Sequence, residues 1–404
     1  MTAPRSYFDH AATTPMRREA IDAMCSLLEG GGYNASALYA EGRAARTALD
    51  RARVTIAALV GAKPREIVFT SGGSEANTLA IVGTLRARPG GIAGAHIVTA
   101  ATEHHAVLHA VDAMRDEGAR VTMLGVDAQG RIDPAAFAAA LEPETVLATI
   151  MLANNEIGTI APIAELAALA RARGILVHAD AVQAPGRLPL DVDMLGVDLL
   201  SISAHKCYGP KGVGALYVRA GTPLRAVVYG GPQEAGLRAG TENVAGIAGF
   251  AAAFAATEAE RTREMPRLEA LRDRLEREIV ASIPGTAVNA AAAPRLATIA
   301  SIAFDGVDAM ELLVALDLAG ISVSTGSACA AGAAERSHVL AALGAEAWIR
   351  RGTLRFSLGR QTSEQDVEDL TRMLPAAVAT GRVGSGNKGT SMSGSPQSLS
   401  EVFS

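Results

Sequence analysis

Leu199-Leu-Ser-Ile-Ser203-Ala-His-Lys206-Cys-Tyr-Gly-Pro-Lys-Gly212 begins as a short apolar run and breaks into a glycine-rich polar turn. A brief apolar run closed by turn residues is what a strand buried on both faces of a parallel sheet looks like. Similar runs lie upstream at Glu66–Thr70, His96–Thr99, Val121–Leu124, Val146–Met151 and Leu176–Ala179, and one follows at Ala215–Val218. Helical patterns separate several of them, at Asn77–Arg86, Ala106–Glu117 and Ile163–Arg173. The alternation predicts an α/β fold with a mostly parallel sheet covered by helices on both faces.

The second half of the chain changes character. Gly240–Glu258 is rich in Ala and Gly, and Glu260–Ile283 is a charged amphipathic helical pattern. Beyond it come strand-like Thr298–Phe304, helical Ala309–Ala319, strand-like Thr353–Leu358 and a last helix over Glu364–Ala379. The expected division is a large domain over 16–259 and a smaller α+β domain made of 1–15 and 260–380. From Gly381 the chain is rich in Gly and Ser, and 381–404 is expected to be a disordered tail.

Composition narrows the function. Of 404 residues, 49% are hydrophobic but only 4% aromatic, so the core has to be built from Ala, Val, Leu and Ile. The net charge of -5, with no long basic run, argues against direct nucleic-acid binding. Three cysteines make no disulfide framework and suit a reducing compartment. Tyr7–Pro15 is polar and turn-like rather than signal-like, and no apolar run is long enough to cross a bilayer, so a cytoplasmic protein is expected. Cys25, on the pattern Ile21–Leu28, reads as a core residue and Cys207 as structural.

Several side chains carry possible chemistry. Lys206, set after a strand, can form a Schiff base with pyridoxal phosphate (PLP). Asp180 closes the strand at Leu176 and suits a protonated pyridine nitrogen, with Gln183 as a donor to the ring oxygen. Thr70-Ser-Gly-Gly-Ser-Glu-Ala-Asn77, with Gly73 at its centre, links a strand to a helix and can receive a phosphate. His104 or His105 can cover the ring and shuttle protons. Arg355 can clamp a substrate carboxylate, helped by Asn34 and Asn155. Cys329, in Ser324-Thr-Gly-Ser-Ala-Cys-Ala-Ala-Gly332, is a thiol in a small-residue loop. Each has an ordinary alternative: a surface lysine, a plain turn, a helix cap with exposed histidines, an exposed arginine on an alternating strand, a small core cysteine.

Taken in order, these motifs resemble the NifS/IscS-type cysteine desulfurases, PLP-dependent enzymes of the class V aminotransferase superfamily with fold type I. The motifs are Asp9–Pro15, Thr102–Val107, Asn154–Gly158, His178–Gln183, Ser203–Lys206, Arg238–Asn243, Ser324–Cys329 and Arg355–Gly359, and they span about residues 5–375. The resemblance implies that Lys206 carries the cofactor and His104 stacks on its ring, while Asp180 and Gln183 address its nitrogen and oxygen. It implies Ser74, Ser203 and His205 for the phosphate, with Thr241 arriving from the second subunit of a homodimer. Asn34, Asn155 and Arg355 would hold the carboxylate of L-cysteine. Cys329 would take the sulfur and pass it to an iron–sulfur scaffold or a thio-modification relay. No resident metal is implied, only a transient contact of Cys329 with an iron–sulfur cluster. Two positions depart from the family pattern: Tyr39 stands where a histidine is common, and Gly230-Gly-Pro232 replaces a run of three glycines. The competing expectations are a transaminase or selenocysteine lyase on the same fold, and a scaffold without catalysis.

Overall fold

The computed structural model describes residues 5–30, 33–326 and 337–387, with 383–387 described by backbone alone. Seven strands form the main sheet: β2 (Ile67–Thr70), β3 (His96–Ala100), β4 (Arg120–Leu124), β5 (Thr145–Met151), β6 (Leu176–Asp180), β7 (Leu199–Ser203) and β8 (Gly214–Val218). Their spatial order is β2-β8-β7-β6-β5-β3-β4, and only β8 runs against its neighbours. The mostly parallel α/β sheet expected from the alternating pattern is therefore present, and its strands begin and end within a residue or so of the apolar runs. Strands β6 and β7 have nearly every side chain buried because helices cover both faces.

One polar side chain laces three central strands together. His178 on β6 shares hydrogen bonds with Thr149 Oγ1 on β5 at 2.8 Å and Ser201 Oγ on β7 at 2.9 Å. Complete burial pushes its pKa down to about 3, so it is neutral at pH 7.

Five more strands belong to the smaller assembly. β1 (Ser6–Tyr7) pairs in parallel with β11 (Ile321–Ser322), and β12 (Thr353–Ser357), β10 (Ile299–Phe304) and β9 (Thr286–Val288) form an antiparallel sheet in that order. Phe8 packs with Leu268, Leu271, Leu275, Phe304, Phe356 and Leu370 in a core separate from the one around the main sheet. A single helix, Val244–Ser282, serves both: Phe250 and Phe254 enter the first core, and Leu268 to Ile279 the second. The two helical patterns read on either side of residue 259 are one element with Pro266 inside it.

Two expectations change. The last helix spans Glu364–Asn387, so it continues past Gly381. Arg382 fixes that extension by donating to Asp305 O at 2.8 Å and Pro284 O at 2.6 Å. Those backbone contacts outweigh a glycine-rich composition, and the stretch 388–404 of the expected tail lies outside the described residues. Cys25 is exposed rather than in the core. Met24 is the residue of that helix facing Gly249 on the long helix, and a helix turns about 100° per residue, which carries Cys25 off the packed face. Cys207 is buried, and burial pushes its thiol up to about 12, so it is inert. Among the described residues no helix is long and apolar enough to cross a membrane.

Candidate active site

Parallel strands end their hydrogen-bond ladders at a common edge, and ligands of such sheets bind beyond their C-terminal ends. A cavity of about 400 Å³ lies there, lined by residues from β6, β7, the turn after β2 and the smaller assembly.

The turn after β2 starts the helix Gly73–Ala87. Gly72 has φ of +155°, which L side chains rarely adopt, and a Cβ on Gly73 would lie 2.6 Å from Val182 Cγ2. Only glycines let the backbone close this tightly, and they leave the helix N-terminus and Ser74 facing the cavity. Ser203, at the end of β7, has a buried Oγ with no hydrogen-bond partner, and a Cβ on Gly72 would lie 4.0 Å from it. His205 Nδ1 is 3.2 Å from Thr13 Oγ1; burial, followed by Lys206, lowers its pKa to about 4.

Lys206 Nζ donates to Ala11 O at 2.6 Å and Ala12 O at 2.8 Å. Asp180, at the end of β6, is held from two sides: Asn77 Nδ2 donates to Oδ2 at 2.6 Å and Val182 N to Oδ1 at 3.0 Å. Asn77 is a positioning partner that the sequence patterns did not single out, although its place one turn into the phosphate helix was visible. Gln183 Nε2 donates to Ala11 O at 2.9 Å, so this amide and Lys206 share one carbonyl.

His104 unites the two readings given to it. It caps the helix His105–Asp116, with Nδ1 accepting from Ala106 N at 3.1 Å, and it lines the cavity. Because Nδ1 accepts, the neutral ring carries its proton on Nε2. Burial lowers its pKa, with Lys206 adding to the effect and Asp180 opposing it.

The opposite wall belongs to the smaller assembly. Arg355, on β12, is only 2% exposed, so the reading of it as a surface arginine fails. Its Nη2 donates to Asp9 Oδ1 at 2.6 Å and its Nη1 to Asn155 O at 2.8 Å, while Nε is buried and has no partner. A guanidinium with an unused buried donor beside a cavity is suited to a carboxylate ligand. Asn155 also lines the cavity. Glu156 and His338, which the motif search passed over, line it too; Ser337 Oγ donates to Glu156 Oε2 at 2.5 Å, and His338 Nε2 donates to Glu103 O at 2.8 Å.

Two expected site residues are not at the cavity. Asn34 and Thr241 are both exposed and line no part of it within this chain. Cys329 lies outside the described residues. Gly326 and His338, on either side of its segment, both line the cavity.

The donor set fits PLP. The unpartnered Ser203 hydroxyl and the glycine-built helix start could cradle a phosphate, Asp180 offers a carboxylate suited to a pyridinium, and Lys206 offers an amine suited to an aldehyde.

Comparisons with known proteins agree with this geometry. The aminotransferase class-V family pattern matches residues 6–370. The chain is 46% identical over 361 residues to the cysteine desulfurase IscS of Dictyoglomus turgidum, covering 89% of this chain and 91% of that protein. Among solved structures, a NifS-like protein superposes with a TM-score of 0.87 at 31% identity, covering 93% of this chain and all of that one. A structure described as SspA in complex with cysteine superposes with a TM-score of 0.76 at 35% identity, covering 87% and 98% of the two chains. The chain belongs to the class-V aminotransferase family, with the IscS and NifS cysteine desulfurases.

Proposed function

We propose that the chain is a PLP-dependent cysteine desulfurase that converts L-cysteine to L-alanine and carries the sulfur away on Cys329. The observation that supports it most is one cavity shared by a PLP donor set, a buried arginine with a spare donor, and both described flanks of the Cys329 segment. Bound PLP supplies an electron sink for charge left at the substrate α-carbon. Arg355 and Asn155 hold the substrate carboxylate. Lys206 Nζ takes the α-proton, and the lowered pKa of His104 keeps its ring neutral, with Nε2–H offered to the site as a hydrogen-bond donor. The Cys329 thiolate attacks the substrate sulfur. The Cβ–Sγ bond breaks, its electron pair stays with Cβ, one proton completes the methyl group, and return of a proton from Lys206 Nζ to the α-carbon gives alanine. The sulfur remains on Cys329 as a persulfide, to be handed to an iron–sulfur scaffold or a thio-modification relay.

The working unit is a homodimer in which Thr241 of each chain reaches the other's phosphate site. Its exposure here supports that reading, as do large apolar side chains left in solvent, Leu38 at 90% and Tyr229 at 76% exposed. Asn34 reaches a substrate only in the same assembly. A cytoplasmic location suits a catalytic thiol, which a reducing compartment keeps from being tied up in a disulfide.

Incubation with L-cysteine alone tests the reaction. Alanine and one added sulfur on the Cys329 peptide, detected by mass analysis, are expected without any keto acid. Alanine formation that requires a keto acid would make the chain a transaminase. Sedimentation tests the assembly: a fully active monomer at working concentration would refute it.

A further inference from the structure

Arg187 is buried behind the cavity, in the turn that follows β6. Taking a guanidinium out of water is costly unless a charge or several hydrogen bonds compensate. Among the described residues no carboxylate pairs with it; burial lowers its pKa, and Arg355 adds to that effect. Instead, its Nη1 donates to Gln183 O at 3.0 Å and to Gln183 Oε1 at 3.1 Å, and its Nη2 reaches His10 O at 3.4 Å.

An arginine only donates. The amide of Gln183 must therefore turn its oxygen toward Arg187, which sends its nitrogen the other way. That nitrogen donates one hydrogen to Ala11 O at 2.9 Å, and Gln183 lines the cavity. The Ala11 carbonyl, which can only accept, favours the same orientation from the other end, and Arg187 reinforces it by facing the amide oxygen. The other face of the turn is fixed by packing: Gly186 has φ of +69°, and a Cβ there would lie 2.2 Å from Thr257 Cγ2.

We propose that Arg187 is a positioning residue that locks the Gln183 amide with its N–H edge toward the cofactor, making Gln183 a fixed donor to the ring oxygen. The inference rests on the PLP reading of the cavity. It assigns this otherwise uncompensated buried cation a function through Gln183 rather than contact with the substrate.

The bound cofactor's visible absorption band reports it, because a donor on the ring oxygen favours the deprotonated oxygen and so lowers the apparent pKa at which the band changes. Holoenzyme carrying Arg187→Met is expected to titrate about one pH unit higher than the parent, as is Gln183→Ala. The double variant Arg187→Met/Gln183→Ala is expected to shift no further than either single one, since both remove one interaction. Arg187→Lys, which keeps a cationic donor, is expected to shift by less. If Arg187→Met does not fold, Arg187→Lys alone and combined with Gln183→Ala gives the same cycle. An unmoved band in the Arg187 variants, or shifts that add in the double variant, would overturn the inference. Failure of the PLP reading looks different: the parent would then show no cofactor band.

Discussion

The two walls of the cavity are built in opposite ways. The cofactor wall comes from strand ends of the main sheet: Asp180 closes β6, Ser203 closes β7, and Gly73 and Ser74 follow β2. Asp180 is also held by Val182 N, two residues on, and by Asn77 on the helix that follows β2, while the others take their positions from the strand ends and the turn. The substrate wall has no such local frame. Arg355 is held by the side chain of Asp9 and by the carbonyls of Asn155 and Gly326, which come from three separate parts of the chain. A wall made from strand ends is rigid before any ligand arrives, whereas one assembled from distant pieces depends on the smaller core staying in place.

The comparison implies that damage on the two sides should separate kinetically. In the proposed reaction Lys206→Ala removes the amine that would both anchor the cofactor and move the α-proton, so turnover is expected to fall by about 10⁴-fold or more. Undiminished alanine production by this variant would end the assignment of Lys206. Cys329→Ser touches none of the residues proposed to hold the cofactor. Cofactor absorbance and the spectral response to L-cysteine should persist, while desulfuration drops by about 10³-fold, because a serine hydroxyl is a far weaker nucleophile toward sulfur than a thiolate. Alanine formed at the parent rate would remove Cys329 from the mechanism.

Arg355→Lys examines the substrate wall. Lysine keeps the charge near Asp9 but loses the planar fork. KM for L-cysteine is expected to rise by about 10- to 100-fold with a smaller change in kcat, and the cofactor band should not move. A displaced cofactor band would show that the walls are coupled and that the contrast between them is wrong.

The same contrast explains what the sequence made readable. Strand ends with polar residues are local patterns, so Asp180, Lys206 and the Gly72–Gly73 turn could be found in short windows, whereas Ser203 came only with the family resemblance. Arg355 could be named but not placed: an alternating strand gives no sign that Asp9 and the Asn155 carbonyl will enclose it. Asn77, Glu156 and Arg187 act through partners set by tertiary packing, and no local pattern separates them from ordinary helix or turn residues. Cys25 failed for a related reason, since a small amphipathic helix shows that it has an inner face but not which of two adjacent residues lies on it. The end of the last helix was missed because Arg382 draws its stability from Asp305 and Pro284, remote in sequence.

The smallest expected effect concerns what supports the cofactor wall from below. Glu103 is buried in the turn before His104; its Oε1 accepts from Met151 N at 2.7 Å, while Oε2 has no partner. Burial raises its pKa well above the usual carboxylate range, the hydrogen bond from Met151 opposes this, and the charge of Asp180 adds to it. In the unfolded chain a glutamate ionises near pH 4.3, about its model value. Between that point and the raised folded value the native state binds more protons than the unfolded one. The stability this carboxyl contributes is therefore complete below about pH 4.3 and is lost as pH rises through the folded pKa. Glu103→Gln keeps the acceptor for Met151 and cannot ionise. Its melting temperature minus that of the parent should increase as the pH is raised from 4 to 8, reaching a few degrees, roughly the size of a 1 kcal/mol change. A difference that stays flat across this range would mean that Glu103 is charged in the folded protein and that burial does not hold it neutral beneath the cofactor wall.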